Sequence, residues 1–241
     1  MILTKHDFFF NGFNFSDVLE VQEIRRPLIH VNNSSIHGKN RIFVHGINVE
    51  PQTIEIDVRI KAKDRYNLEN FKKKILKHLY TEEPKKLMTR DSDLYDIAIL
   101  DGEIDFEKFW WYGKTTLKFQ SVFGYRFGKE IKVTLKNRDT IIPNGTAKTR
   151  AVFSTKILSS VGWVKITNQK TGEFVKITYP FSIGDKVIID CDKELVTVNG
   201  SNILKNVELE SDFFDLLPDK KNKITLDGLS QVEAVYTERW L

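Results

Sequence analysis

The chain has 241 residues, 41% hydrophobic and 29% charged, a globular balance that excludes a disordered chain or a bundle of membrane helices. A net charge of +4, not concentrated in either half, is too mild for a module that grips nucleic acid by its phosphates. Cys191 is the single cysteine, so an intrachain disulfide and a multi-cysteine metal site are both excluded.

The N-terminal run MILTKHDFFFNGFNF is apolar but broken by Asp7, Asn11 and Gly12. It lacks the continuous core of a signal peptide, so synthesis and folding in a reducing cytoplasm are expected. Phe8, Phe9 and Phe10 precede Asn11-Gly12 and Phe13 follows, the strongest short signal for a β-hairpin. The four Phe are expected to pack an edge hairpin on its own domain or on a neighbouring subunit. Val18–Ile24 reads as a strand. Asn32-Asn33-Ser34-Ser35 and His37-Gly38-Lys39-Asn40 read as one polar loop, with Asn33, His37 and Lys39 as candidates for subunit contact. A phosphate-loop reading fails because no second Gly followed by Lys and Ser or Thr stands at the required spacing.

Thr53–Lys61 alternates Ile54, Ile56, Val58 and Ile60 with polar residues, which predicts a half-buried strand. Asp64 reads as a helix N-cap, and Leu68, Phe71, Ile75 and Leu79 recur at helical spacing through Tyr80, before Pro84. Lys72-Lys73-Lys74 and Lys77 lie on this helix as a solvated face. Strands are expected at Lys86–Arg90, Tyr95–Leu100 and Lys114–Phe123. Between the last two lie Trp110-Trp111-Tyr112, read as interface anchors or core, with a sugar platform as the alternative.

The stretch Leu135–Phe153 forms a seam around Pro143-Asn144-Gly145-Thr146, where Pro removes a donor and Asn-Gly permits positive φ. Beyond it, strands are expected at Arg150–Leu158, Trp163–Asn168, Glu173–Tyr179, Lys186–Asp190, Leu195–Val198, Lys223–Leu226 and Val232–Trp240. Their short lengths and Gly/Asn/Asp turns predict a sandwich or barrel. Phe213–Pro218 reads as an apolar plug. The expected organisation is an α+β domain over residues 1–138, an antiparallel sheet with one main helix, followed by an all-β domain over residues 139–241.

Catalytic chemistry finds no support. The five His all precede the seam, no HExxH or GxSxG occurs, and the pairs Asp101/Glu103 and Asp105/Glu107 read as polar positions near a sheet edge. No cofactor or metal site is expected, and no catalytic residue is assigned.

Taken in order, several residues resemble the distal tail protein family of long non-contractile-tailed phages and related prophages. They are Asn144-Gly145-Thr146 before a strand, Gly172-Glu173 in a hairpin, Gly184-Asp185 leading into Val187–Asp190, and Val198-Asn199-Gly200. Phe213-Phe214-Asp215-Leu216-Leu217-Pro218 followed by Asn222-Lys223-Ile224 resembles the family's F-x-x-L-x-P-G-x-N-x-I element, and the ending with Tyr236 and Trp240 resembles its terminal strand. Asp219-Lys220-Lys221 departs from that pattern by replacing the usual Gly after Pro218.

The resemblance implies a ring-forming belt domain followed by a galectin-like sandwich. It further implies a hexameric hub at the distal end of the virion tail, assembled in the host cytoplasm. The implied partners are the tail tube, a baseplate or tail-associated protein and a receptor-binding protein, with DNA passing through the ring and no sequence-specific nucleic-acid or membrane contact. A lectin-like module for host attachment is the competing reading. Against it, the second half has no His, and its Trp residues are Trp163 and Trp240 alone.

Overall fold

The computed structural model describes residues 8–28, 31–37, 42–61, 65–102, 104 and 114–241. The chain divides into two compact units, residues 1–127 with Leu241, and residues 128–240.

In the first unit β1 (Phe8–Phe10) and β2 (Phe13–Asn14) form the expected hairpin, with Phe10 opposite Phe13. Asn11 (φ 51°) and Gly12 (φ 73°) both sit in the left-handed region that a two-residue hairpin loop requires. β3 (Leu19–Arg25) follows, then β4 (Val31–His37), β5 (Ile42–Val49) and β6 (Thr53–Ile60). The single α-helix among the described residues, α1 (Arg65–Leu79), precedes β7 (Lys85–Thr89), β8 (Tyr95–Asp101) and β9 (Lys114–Ser121). The strands pair antiparallel in the order β3-β6-β9-β8-β7-β1-β2.

The alternation in β6 does what its pattern requires: Ile54, Ile56 and Val58 are buried, while Arg59 is exposed. α1 inserts Ile75 and Leu79 into the same core, and Lys73, Lys74 and Lys77 face solvent. The expected N-cap, Asp64, lies outside the described residues.

One expectation fails. The polar stretch Val31–His37 is not a loop but a strand, paired with β5 from Val31↔Val49 to His37↔Ile42 as a separate two-stranded sheet. A β-ladder satisfies backbone groups whatever the side chains, so a polar strand needs only a partner of matching length, and Ile42–Val49 supplies it. A shift between Ser34 and Ser35 interrupts the register.

β10 (Arg126–Lys136) begins in the first unit and ends in the second. The second unit then runs through β11 (Thr140–Ile141), β12 (Ala151–Lys156), β13 (Val161–Asn168), β14 (Phe174–Phe181), β15 (Lys186–Asp190), β16 (Leu195–Val198), β17 (Ser201–Asn202), β18 (Asn222–Asp227) and β19 (Gln231–Trp240). One sheet has the order β17-β16-β15-β12-β19-β10 and the other β11-β18-β13-β14. A single core that includes Phe153, Ile166, Ile177, Ile189, Phe214, Ile224 and Ala234 draws on both sheets. This is a β-sandwich following an α+β unit, the architecture expected.

Candidate assembly surfaces

The Phe-rich hairpin splits by face. Phe8 and Phe10 are fully buried, with Phe8 stacked on Phe15 at 4.6 Å and Phe10 tilted against Phe119 at 4.9 Å. Period-two alternation turns Phe9 to the other side of β1, where it keeps partial exposure. Phe13 stacks on His78 of α1 at 4.1 Å and meets Phe15 edge-on at 4.9 Å. Most of this aromatic surface therefore fills the unit's own core. Asn33 and His37 lie on β4; Lys39, Trp110 and Trp111 lie outside the described residues.

A second aromatic group, beyond the candidates named from sequence, lies in Phe123-Gly-Tyr125-Arg-Phe127 and Tyr95. Phe123 stacks with Tyr125 at 5.2 Å, and Phe127 stacks with Tyr95 at 5.3 Å. Phe123 stays 37% exposed beside exposed Val122, and Lys86 Nζ sits 3.7 Å from the Tyr95 ring centre. The aromatic alternation at 123, 125 and 127 was the available signal. Beneath lies a buried charge cluster. Arg26 Nη2 donates to Asp96 Oδ2 (3.0 Å), Arg126 Nε lies 3.4 Å from the same oxygen, and Arg126 Nη2 donates to the Leu94 carbonyl (3.0 Å). Burial pushes the Asp96 carboxyl above its ordinary range despite the two guanidiniums, and pushes Arg126 down.

In the second unit the Asn144-Gly145-Thr146 turn has a steric reason. Gly145 has φ 111°, and a Cβ there would stand 2.3 Å from the Arg239 carbonyl oxygen. The Thr146 and Ala147 amides both donate to that oxygen, at 3.0 and 3.1 Å, and Asn144 Nδ2 donates to Glu238 Oε1 at 2.8 Å. Pro143 contributes its carbonyl to the Asp219 amide (3.0 Å). Asp219 takes φ 51°, so it occupies the left-handed position for which the family pattern uses Gly.

The plug is held by buried amides. Phe214 and Leu216 are buried in the core, and Phe213 packs at its margin. Asn222 is fully buried; its Nδ2 donates to the Leu217 carbonyl (2.9 Å) and the Lys220 carbonyl (3.0 Å), and its Oδ1 accepts from the Leu217 amide (3.0 Å). Asn168 Nδ2 donates to Asn222 Oδ1 (3.3 Å) and the Asp215 carbonyl (3.2 Å). Arg150 ties the plug to the β15–β16 turn by donating to Asp215 (2.9 Å), Glu194 (2.9 Å) and the Cys191 carbonyl (3.0 Å). Tyr236 is buried, and the Trp240 indole nitrogen lies so close to Gly128 that a Cβ there would stand 2.9 Å away. Trp163, by contrast, is 46% exposed on β13.

Burial pushes the Cys191 thiol up to about 12, which removes the thiolate needed for nucleophilic chemistry. No helix is long and apolar enough to cross a membrane among the described residues. Fold and topology together define two sheet-built units, an α+β unit and a β-sandwich.

Comparison with known proteins agrees. A family described as phage tail protein RIFT-related domain matches residues 5–121, and one described as siphovirus-type tail component, C-terminal domain, matches residues 144–240. The chain belongs to the distal tail protein family of siphophages. The curated distal tail protein of Bacillus phage SPP1 is 29% identical over 135 residues, a match covering 54% of this chain and 52% of that protein. The chain thus spans about half the length of the curated relative it matches.

The crystal structure of the SPP1 protein, described as a paradigm of the hub adsorption apparatus in phages infecting Gram-positive bacteria, superposes with a TM-score of 0.82. That match has 16% identity and covers 99% of this chain and 100% of the other. A chain of the phage P2 baseplate, in its activated conformation with Ca, matches with a TM-score of 0.56, 12% identity and 98% coverage of both.

Proposed function

We propose that six copies of this chain close into a ring at the distal end of a non-contractile phage tail. The ring joins the tail tube to a baseplate or tail-associated protein and leaves a central passage for DNA. An N-terminal domain over residues 1–138 forms the ring, and a sandwich domain over residues 139–241 carries a receptor-binding protein. The observation that carries this reading is the likeness over nearly the whole chain to a hub protein, with both units represented.

A closed cyclic ring needs two different complementary patches on each subunit. Phe9, Phe13, the β4–β5 hairpin bearing Asn33 and His37, and the aromatic group around Phe123 supply candidate faces, with Lys39, Trp110 and Trp111 assigned to the same contacts. Light scattering on the purified chain with its tail-tube partner tests the reading. A species of six chains supports it; an open-ended series of stacked rings indicates a tube subunit instead.

A further inference from the structure

The outer face of the larger sandwich sheet carries an unresolved electrostatic conflict. Lys156, at the end of β12, stands directly opposite Lys186, at the start of β15, in the antiparallel register that runs from Val152↔Asp190 to Lys156↔Lys186. Like charges directly opposite on a sheet repel. No carboxylate among the described residues pairs with either lysine. The nearby Glu233 is bonded to Lys132 at 2.7 Å. Asp185, next in sequence to Lys186, turns its carboxylate to the Ser182 amide (2.8 Å) and the Asn199 side chain (2.8 Å).

Both lysines are exposed, and they share one depression of this face. They line a cavity of about 640 Å³ together with Thr134, Ser154, Thr155, Gln231, Leu158 and Glu233. The size is that of a small-molecule site. The Gly184 turn closes one end, pinned by the Gly184 amide to the Ile157 carbonyl (2.8 Å) and by the Ile157 amide to the Asp185 carbonyl (2.9 Å). The walls therefore combine two cationic donors, four neutral hydroxyl or amide groups, one apolar side chain and the Glu233 carboxylate, whose charge Lys132 already meets. That combination fits a ligand with one anionic group and several hydroxyls.

We propose that this cavity binds a phosphate ester of a polyol or sugar. The phosphate sits between Lys156 and Lys186, where it relieves their repulsion. The polyol hydroxyls meet Thr134, Ser154 and Gln231, and its carbon skeleton lies against Leu158. Compact charge-assisted bonds from two ammonium groups suit phosphate oxygens, and the hydroxyl lining gives the ester an advantage over inorganic phosphate. The proposal is independent of ring assembly, because every residue belongs to the second unit of one chain.

Isothermal titration calorimetry of the full chain tests it, with glucose 6-phosphate, glucose, inorganic phosphate and a glutamate-rich peptide as probes. Saturable binding of glucose 6-phosphate is expected, tighter than phosphate and absent for glucose. Lys156→Ala and Lys186→Ala each weaken it about tenfold, the loss of one charge-assisted bond. Lys156→Glu, which places an opposite charge across from Lys186, abolishes binding while the melting temperature holds or rises, so that loss of fold is separated from loss of site. Absence of binding overturns the proposal. So does binding that survives both alanine variants, equal binding of glucose, or binding of the acidic peptide alone, which would make the face a protein-docking surface.

Discussion

Single residues carry the parts of this protein that its sequence announces most clearly. Gly145 is the sharpest case, because both its left-handed backbone and the Arg239 oxygen 2.3 Å from a would-be Cβ forbid a side chain. Gly145→Ala is expected to cost ~2 kcal/mol or more in chemical denaturation, with strain and displacement of the terminal strand both contributing. Asp185 gives a pH prediction. The Ser182 amide, then the Asn199 side chain, hold its carboxyl below the ordinary carboxylate range. A depressed carboxylate contributes stability above the ordinary pKa of about 4 and loses it as pH falls through the folded-state value. Thermal melts of the native chain and Asp185→Asn should therefore differ near neutral pH and converge below about pH 4; a constant gap across that range contradicts the assignment.

At the scale of elements, alternation and turn chemistry made most strands readable. β6, β15 and β16 lie where their patterns place them, because each has one buried face, and β15 and β16 also have a Gly-containing turn at an end. β4 escaped because Asn, Ser and His give no periodicity; only its ladder with β5 makes it a strand. The assembly surface was harder still. A run of Phe reads alike whether it faces the core or a neighbour, and tertiary contacts alone separate Phe10 from Phe9. Phe10→Ala should cost ~3–5 kcal/mol by urea denaturation, whereas Phe9→Ala should change stability by less than about 1 kcal/mol. The Arg26–Asp96–Arg126 cluster was invisible in sequence because its members are 30 to 100 positions apart and typical of surfaces. Asp96→Ala would leave two guanidiniums buried without their shared carboxylate, and a loss of ~3 kcal/mol or more is expected. A loss under about 1 kcal/mol would show the cluster to be solvated.

For the whole molecule, the seam acquires a structural meaning that its composition alone did not have. Pro143-Asn144-Gly145-Thr146 lies inside the second unit, where it grips the terminal strand and the Asp219 turn, and so it belongs to the sandwich's own framework. Membership in the distal tail protein family gives that framework a context, the proposed six-membered ring. Cryo-electron microscopy of tails carrying an affinity label on this chain locates the ring. Label confined to one six-fold ring at the distal tip, with an open centre, is expected. Label distributed along the tail tube, or a tip lacking six-fold symmetry at the labelled layer, would contradict it.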